Sequence, residues 1–407
     1  MLSLPRNQCT GCAACVDACT RGAISLVEDE NGYLYPKVEE QICTHCGLCD
    51  KKCHSLHSEE IKKNEVSKHP FAAWSIESEV IENSASGGVF TQVAKEFLAQ
   101  GGDIVYGAML SEDMQVRHIG VTRVEELRYL QNSKYQQCNA TGIYSDVKKR
   151  LAEGKQVLFS GTPCMIGALY RFLGDDKILR EKLYTAEILC HGVPSNELFR
   201  MGLKIEGAER IVKYRTKSQG WLKGNRVVYQ GKDGHIYEKG NRRTDFVFRS
   251  YLTFSVTRPN CFECQYASMK RVADITMGDF WGLDRKKYIN YKGVSLLLVN
   301  NEKGRTLVDN TKNLSLKATT WKECMPFNQN LFMATNKRVF DLSLKVAKLR
   351  DKPFWIRKML YQNGFTNKYL DLLYQMVYRI LSFPKRNRIK KEIRDEENRN
   401  YNDILCN

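Results

Sequence analysis

The sequence predicts three units in order: a small α+β domain organised by metal-bound cysteines, an α/β core with a mixed sheet, and a helical C-terminal extension. Three observations carry this. Eight of the fifteen cysteines fall between Cys9 and Cys53. From Phe71 onward, strand-like apolar runs alternate with segments of helical period. Beyond Trp355 the chain turns to amphipathic, strongly basic segments.

Composition bounds the function classes. The chain has 407 residues, 43% apolar and 27% charged, which is a globular composition with ample length for a core. The longest compact apolar run, Val294 to Val299, is far short of a membrane span. The stretch Met1 to Cys9 lacks the basic and apolar segments of a signal peptide, so a cytoplasmic location is expected. An odd cysteine count in such a reducing setting argues against a disulfide framework and for metal chemistry. Basic residues exceed acidic ones, 63 − 46 = +17, which suits an anionic partner. Nucleic acid is not expected, because no aromatic platform or recognition motif accompanies the charge.

The N-terminal cysteines form an internal repeat. Cys9, Cys12, Cys15 and Cys19 have the spacing C-x2-C-x2-C-x3-C, and Cys43, Cys46, Cys49 and Cys53 repeat it 34 residues later. Three thiolates two residues apart wrap three corners of a 4Fe–4S cubane, while the fourth cysteine points to the other cluster. One cluster is therefore assigned to Cys9, Cys12, Cys15 and Cys53, and the second to Cys43, Cys46, Cys49 and Cys19. Ala23 to Val27 and Gly32 to Val38 read as strands around the turn Asp29-Glu30-Asn31-Gly32. Structural zinc needs paired C-x2-C units and is disfavoured. The segment, residues 1–57, resembles a bacterial-type two-cluster ferredoxin domain, except that Thr20 and His54 stand where a proline usually follows the fourth cysteine.

Residues 58–70 are polar and read as a linker. The core follows, its first part at residues 71–150 and its second at 151–335. Strands are expected over Phe71–Ile76, Asp103–Met109, Val116–Thr122 and Gln156–Ser160, with helices over Ser84–Gln100, Thr141–Glu153 and Met165–Leu173. The small residues Ser84 to Gly88 at a helix start let backbone amides approach a phosphate, although Ser-Gly also serves as a simple cap. Gly101-Gly102 reads as a helix stop. No G-x-G-x-x-G follows a strand, so a nicotinamide site of that type has no support.

Three further loops carry cysteines beside glycine or proline: Gly161-Thr162-Pro163-Cys164, Cys190-His191-Gly192-Val193-Pro194, and Arg258-Pro259-Asn260-Cys261 with Cys264. Cys164, Cys190, Cys261 and Cys264 suit a third 4Fe–4S cluster. Two alternatives stay open at this point: buried, unrelated cysteines, and zinc on Cys190, His191, Cys261 and Cys264. His118 and His235 lie in strand-like stretches and are expected at the surface, and His191 stands out only as the neighbour of Cys190.

The run of motifs from Ser86-Gly87-Gly88 through Gly161-Thr162-Pro163-Cys164, Cys190-His191-Gly192-Val193-Pro194, Arg258-Pro259-Asn260-Cys261, Gly278-Asp279-Phe280-Trp281-Gly282 and Gly293-Val294-Ser295 resembles the coenzyme F(420) hydrogenase/dehydrogenase beta-subunit family, with the two-cluster ferredoxin domain fused in front. The resemblance covers about residues 1 to 330. It implies a flavin-binding α/β core, an FAD cofactor, and electron transfer between a hydride-carrying cofactor or small-molecule substrate and the clusters, with ferredoxin as an acceptor. It makes Ser86, Gly87, Gly88, Thr91, Lys134 and Thr162 candidate flavin contacts and strengthens the case for the third cluster. Lys134, Lys270 and Arg271 are candidates to stabilise a reduced flavin, against the plainer reading of solvated surface charges. A flavin-free electron-transfer or redox-sensing protein is the rival expectation.

Residues 336–407 form the extension. Lys345 to Leu372 and Leu373 to Phe383 read as helices followed by a basic run from Pro384 to Lys391, a pattern suited to peripheral contact with an anionic membrane or to packing on the core.

Overall fold

A computed structural model describes residues 2–67, 70–221, 226–239, 251, 257–281, 283, 292–325 and 328–331. The expected C-terminal extension and its membrane contact lie outside the described residues, as does Gly282.

The N-terminal unit is a two-stranded antiparallel sheet, β1 (Ile24–Glu28) and β2 (Leu34–Val38), with two short helices, α1 (Ala14–Ala18) and α2 (Leu48–Lys51), packed on each other. Its two cysteine loops repeat in backbone conformation as well as in sequence. Gly11 and His45 are left-handed at φ 66° and 53°, and Ala13 and Gly47 at 72° and 73°. Alternating left-handed residues bend each loop around a common centre. Ala13 and His45 hold that conformation without a glycine, a strain retained where the surrounding structure over-determines the backbone.

The core is built on a nine-stranded mixed sheet. Its strands are β3 (Pro70–Ser75), β4 (Ile104–Leu110), β5 (Val116–Val121), β6 (Cys138–Asn139), β7 (Val157–Gly161), β8 (Leu183–Ile188), β12 (Ile275–Asp279), β13 (Ser295–Val299) and β14 (Leu314–Ala318). Their spatial order is β14-β3-β13-β12-β8-β7-β4-β5-β6. The β4, β7, β8 and β12 strands run parallel at the centre, and antiparallel strands flank them. Val157, Leu158 and Phe159 are fully buried, because helices cover both faces. Val157 and Phe159 pack toward α5 (Ile143–Ala152) and α6 (Pro163–Leu173), and Leu158 packs toward α4 (Val89–Ala99) on the other side. A second sheet is formed by β9 (Ala208–Thr216), β10 (Arg226–Gly231) and β11 (Ile236–Lys239), with β10 in the middle. It packs with a helix at Asn196–Glu206 around Phe199, Ile211 and Tyr229.

The helix expected over Ser84–Gln100 starts late. A short helix, α3 (Ser78–Asn83), ends before it and α4 starts at Val89, because Gly87 is pressed into the sheet. A Cβ on Gly87 would stand 2.4 Å from the Ala73 carbonyl oxygen, and its N–H donates to Ser295 Oγ at 3.0 Å. Thus the Ser86-Gly87-Gly88 and Gly293-Val294-Ser295 motifs meet in space, with Ser86 Oγ donating to the Val294 carbonyl at 2.8 Å. Gly101-Gly102 stops α4 as expected, the Gly102 N–H reaching back to Phe97 O at 2.9 Å.

The stretch after residue 57 is fastened to the core. Ile61 is buried, and Asn64 donates from its backbone to Arg271 O and from its side chain to Ala273 O, both at 2.8 Å. The N-terminal unit itself is clamped to the core. Asp17 accepts three backbone N–H groups at the start of α5, from Gly142, Tyr144 and Ser145, at 2.6, 2.9 and 3.1 Å. A carboxylate there satisfies otherwise orphaned donors and complements the helix dipole.

Candidate functional site

The site begins with sulfur. Cys9, Cys12, Cys15 and Cys53 converge: burial pushes the Cys12 thiol up to about 12, with Cys9 and Cys53 adding to the rise. Cys15 is raised by burial and then by Cys12, Cys9, Cys53 and Cys49. Four partly buried sulfurs within electrostatic reach of one another are costly as free thiolates, and metal coordination would compensate that charge. The Gly11 N–H points at Cys9 Sγ at 3.4 Å and the Ala23 N–H at Cys19 Sγ at 3.3 Å, backbone donors suited to anionic sulfur. In the second set Cys49 is buried, Cys43 and Cys19 are partly buried, and Cys46 is exposed. That set therefore lies nearest to solvent.

Cys164, Cys190, Cys261 and Cys264 also converge. Burial raises the Cys164 thiol, with Cys190, Cys264 and Cys12 contributing. Burial pushes Cys190 and Cys261 up to about 12, with Cys261 and Cys264 acting on Cys190, and Cys164 and Cys264 on Cys261. The spacing suggested a loop cysteine at 164, but Pro163 opens α6 with Thr162 as its N-cap, so Cys164 occupies the first helical turn. Proline at the first helical position costs no hydrogen bond, and the positive helix end favours a thiolate there. Thr162 Oγ1 lies 3.1 Å from Cys164 Sγ, and the Gly192 N–H points at Cys190 Sγ at 3.4 Å. The influence of Cys12 on Cys164 brings this set beside the first N-terminal set.

A cavity of about 1150 Å³ opens next to these cysteines. Ser86, Gly88, Thr91, Lys134 and Thr162 line it, together with Cys164 and Cys190, whereas Gly87 is turned into the sheet. Gly88 is left-handed and caps α4 at the cavity wall. Among the lining residues His118 Nε2, Gln136 Oε1, Arg215 Nε and Asn328 Oδ1 are buried atoms with no hydrogen-bond partner among the described residues. Such atoms call for a polar occupant rather than an apolar void.

Several charges differ from their sequence-based expectation. Lys134 is no solvated surface group: burial pushes its ammonium down to about 7, opposed by Cys138, and Nζ donates to the Gln131 and Tyr129 carbonyls at 2.6 and 3.1 Å. Arg271 is also buried, its Nε hydrogen-bonded to the fully buried Glu187 and its Nη1 to Tyr266 O at 3.0 Å. Its charge is neutralised inside the protein, and Lys270 alone of the three is exposed. His118, expected at the surface, is 4% exposed and stacks on Phe159 with ring centroids 4.9 Å apart. Its ring lies on the sheet face shared with Phe159, where side chains of neighbouring strands cover it, a long-range contact that a strand pattern alone does not reveal. His235 is exposed as expected, and burial lowers His191 to about 4.

Sequence reasoning assigned no role to Arg215, whose guanidinium pairs with Asp279 Oδ2 at 2.6 Å while Trp221 Nε1 donates to Asp279 Oδ1 at 3.1 Å. Trp221 and Trp281 stack at 5.6 Å. The Gly278-Asp279-Phe280-Trp281 segment therefore anchors a cation at the cavity wall, and the aspartate in that motif was its only sequence signal.

Among the described residues no helix is long and apolar enough to cross a membrane. Residues 8–55 match the 4Fe-4S dicluster domain family, and residues 154–321 match the family described as the C terminus of the coenzyme F(420) hydrogenase/dehydrogenase beta subunit. A curated relative, an uncharacterized ferredoxin of Methanocaldococcus jannaschii, is 35% identical over 48 residues, 12% of this chain and 61% of that protein. The chain thus spans about three fifths of that relative. A chain of the F(420)-reducing NiFe hydrogenase complex of Methanosarcina barkeri aligns at 15% identity and a TM-score of 0.46, over 72% of this chain and 94% of that one. The protein therefore joins a 4Fe-4S dicluster domain, the type that holds two such clusters, to a C-terminal domain of the coenzyme F(420) hydrogenase/dehydrogenase beta-subunit family.

Proposed function

We propose that the chain is an iron–sulfur flavoprotein oxidoreductase that passes electrons between a hydride-carrying cofactor or small-molecule substrate and three 4Fe–4S clusters, with FAD between them and ferredoxin or a partner protein beyond. One observation carries the reading: the cavity bordered by Ser86, Gly88, Thr91, Lys134 and Thr162 is also bordered by Cys164 and Cys190. A flavin bound there supplies the exchange between a two-electron hydride and single-electron carriers.

The residues of the chain have separate tasks in this reading. Gly88 at the start of α4 offers backbone N–H groups to a phosphate, and its lack of a side chain permits close approach. Lys134 adds a cation whose burial is compensated when an anionic group binds. Cys164, Cys190, Cys261 and Cys264 hold the third cluster between the cavity and the set of Cys9, Cys12, Cys15 and Cys53. The exposed Cys46 marks the end where a soluble partner would approach. The beta-subunit family match adds support for an oxidoreductase, while the natural hydride donor, coenzyme F(420) or another, is left to experiment.

The test is anaerobic purification of the full chain with iron, labile sulfide and flavin measured per chain. About twelve irons and one FAD are expected. About eight irons without flavin would overturn the flavin and third-cluster parts and leave an electron-transfer or redox-sensing protein.

A further inference from the structure

Arg258 is 1% exposed, yet among the described residues it forms no ion pair. Its Nε donates to the Cys9 carbonyl at 2.8 Å, and its Nη1 donates to the Leu34 carbonyl and Gln137 Oε1 at 3.0 and 3.1 Å. Nη2 is buried with no hydrogen-bond partner among the described residues. The guanidinium carbon sits 4.1 Å from the Tyr35 ring centroid, and a Cβ on Gly11 would come within 3.1 Å of it. The side chain thus rests against the loop that carries Cys9 and Cys12. Its backbone opens the turn that carries Cys261 and Cys264, with the Cys261 N–H bonded to Arg258 O at 3.0 Å.

A buried cation facing only neutral acceptors is costly, by several kcal/mol in general terms, unless a negative charge lies nearby. The nearby negative charge is sulfur-bound. A 4Fe–4S cluster with four thiolates carries about −2, and one added electron takes it to about −3. We infer that Arg258 is the buried counter-charge of the cluster held by Cys9, Cys12, Cys15 and Cys53, and that it raises the reduction potential of that cluster and of the neighbouring one on Cys164, Cys190, Cys261 and Cys264. The first arm rests on the dicluster domain, the second on the third cluster of the proposed function. A fixed cation in a dry seam stabilises the reduced, more negative state, so its removal moves the potential downward. Arg258 is a positioning and tuning residue. It supplies no electron and takes part in no bond change.

Three variants of the full chain separate charge from packing in a redox titration with dithionite, followed by electron paramagnetic resonance. Arg258→Gln removes the charge. Gln137→Glu leaves Arg258 in place but sets a carboxylate against its Nη1. Each is expected to lower at least one cluster midpoint by about 59 mV or more, a tenfold change for a one-electron couple. Arg258→Lys keeps the charge and is expected to shift by less than half as much. Unchanged midpoints in Arg258→Gln and Gln137→Glu with iron retained would overturn the proposal. If both lose iron, Arg258→Lys decides: retained iron supports a charge requirement, and equal loss overturns it. Iron counted in the unmodified chain keeps the readings apart, because about eight irons would remove the third cluster yet leave the Cys9 arm testable.

Discussion

His54 Nδ1 lies 2.7 Å from the Tyr266 hydroxyl, a hydrogen bond between residues 212 apart in sequence. On its other side, His54 Nε2 lies 3.0 Å from Thr10 Oγ1. His54 follows Cys53, Thr10 follows Cys9, and Tyr266 stands two residues after Cys264, so the bridge ties the first N-terminal cysteine set to the third set. The histidine occupies the position where two-cluster ferredoxins usually carry proline. It has a physical role there: the imidazole is fully buried and offers one polar atom to each unit. Helix α6 makes room for it, since a Cβ on Gly167 would fall 2.2 Å from the Tyr266 hydroxyl oxygen.

Replacing this bridge should loosen the seam. His54→Pro restores the ferredoxin-like residue but leaves the Tyr266 and Thr10 hydroxyls without it, a loss of about 1–3 kcal/mol. Gly167→Ala should do the same by displacing Tyr266, without touching the N-terminal unit. The expected outcome is a lower Tm for both, with faster proteolysis between residues 54 and 70. Unchanged Tm in both variants would show that the bridge contributes nothing to docking.

The proposed function divides the cysteines into ligands and bystanders, and that division can be counted. Cys138 and Cys324 are also buried or partly buried, and burial pushes both thiols up to about 12. Neither converges with other cysteines. Cys264→Ser is expected to remove about four irons per chain, whereas Cys138→Ser and Cys324→Ser should remove none. Iron and labile-sulfide assays on the three variants check this directly, and equal iron in all three would remove the third cluster.

Legibility in the sequence followed the range of the interactions. The dicluster loops were readable because each ligand is fixed by a spacing of two or three residues, and Gly88 and Pro163 act on their own helix starts. The mixed sheet was readable from its buried runs, such as Val157 to Phe159. The late start of α4 after Gly87 was not, because its cause is the Ala73 carbonyl and Ser295 on strands distant in sequence. Arg271 looked like a free cation because Glu187, its buried partner, sits on a different strand. Gln137 carried no local signal at all, since its amide acts only by joining Leu34 to Arg258. The convergence of Cys164, Cys190 and Cys261 lies between these cases: each loop could be recognised, but only the fold brings their thiols together.

Lys134 makes the proposed flavin site pH-dependent. Its ammonium, pushed down to about 7 by burial, is about half protonated in neutral buffer. An anionic cofactor binds better to the charged form, so affinity should fall as pH rises through 7. Lys134→Met should weaken flavin retention roughly tenfold, about 1.4 kcal/mol, and flatten that dependence. Fluorescence titration with FAD at pH 6 and pH 8 measures both. A variant with the same pH dependence as the unmodified chain would assign it to another group.

His118 predicts a separate sensitivity, to acid, in the chain without a bound cofactor. Burial lowers its imidazole to about 4, against a usual value of 6.5, and Cys138 Sγ lies 3.6 Å from its Nδ1. The folded state therefore holds His118 neutral where the unfolded chain would protonate it. That difference in protonation favours the unfolded chain: it is absent above about pH 6.5, and stability falls by about 1.4 kcal/mol per unit as pH drops from there toward 4. His118→Phe keeps the stack on Phe159 and removes the titrating group. Its Tm should therefore fall less than that of the unmodified chain between pH 7.5 and pH 5.5. The effect is partial, because His54 and His191 are buried and lowered to about 4 as well. Equal losses of Tm in the two proteins would mean that His118 is hydrated or protonated in the folded state, and that the inward face of β5 is more open than its burial indicates.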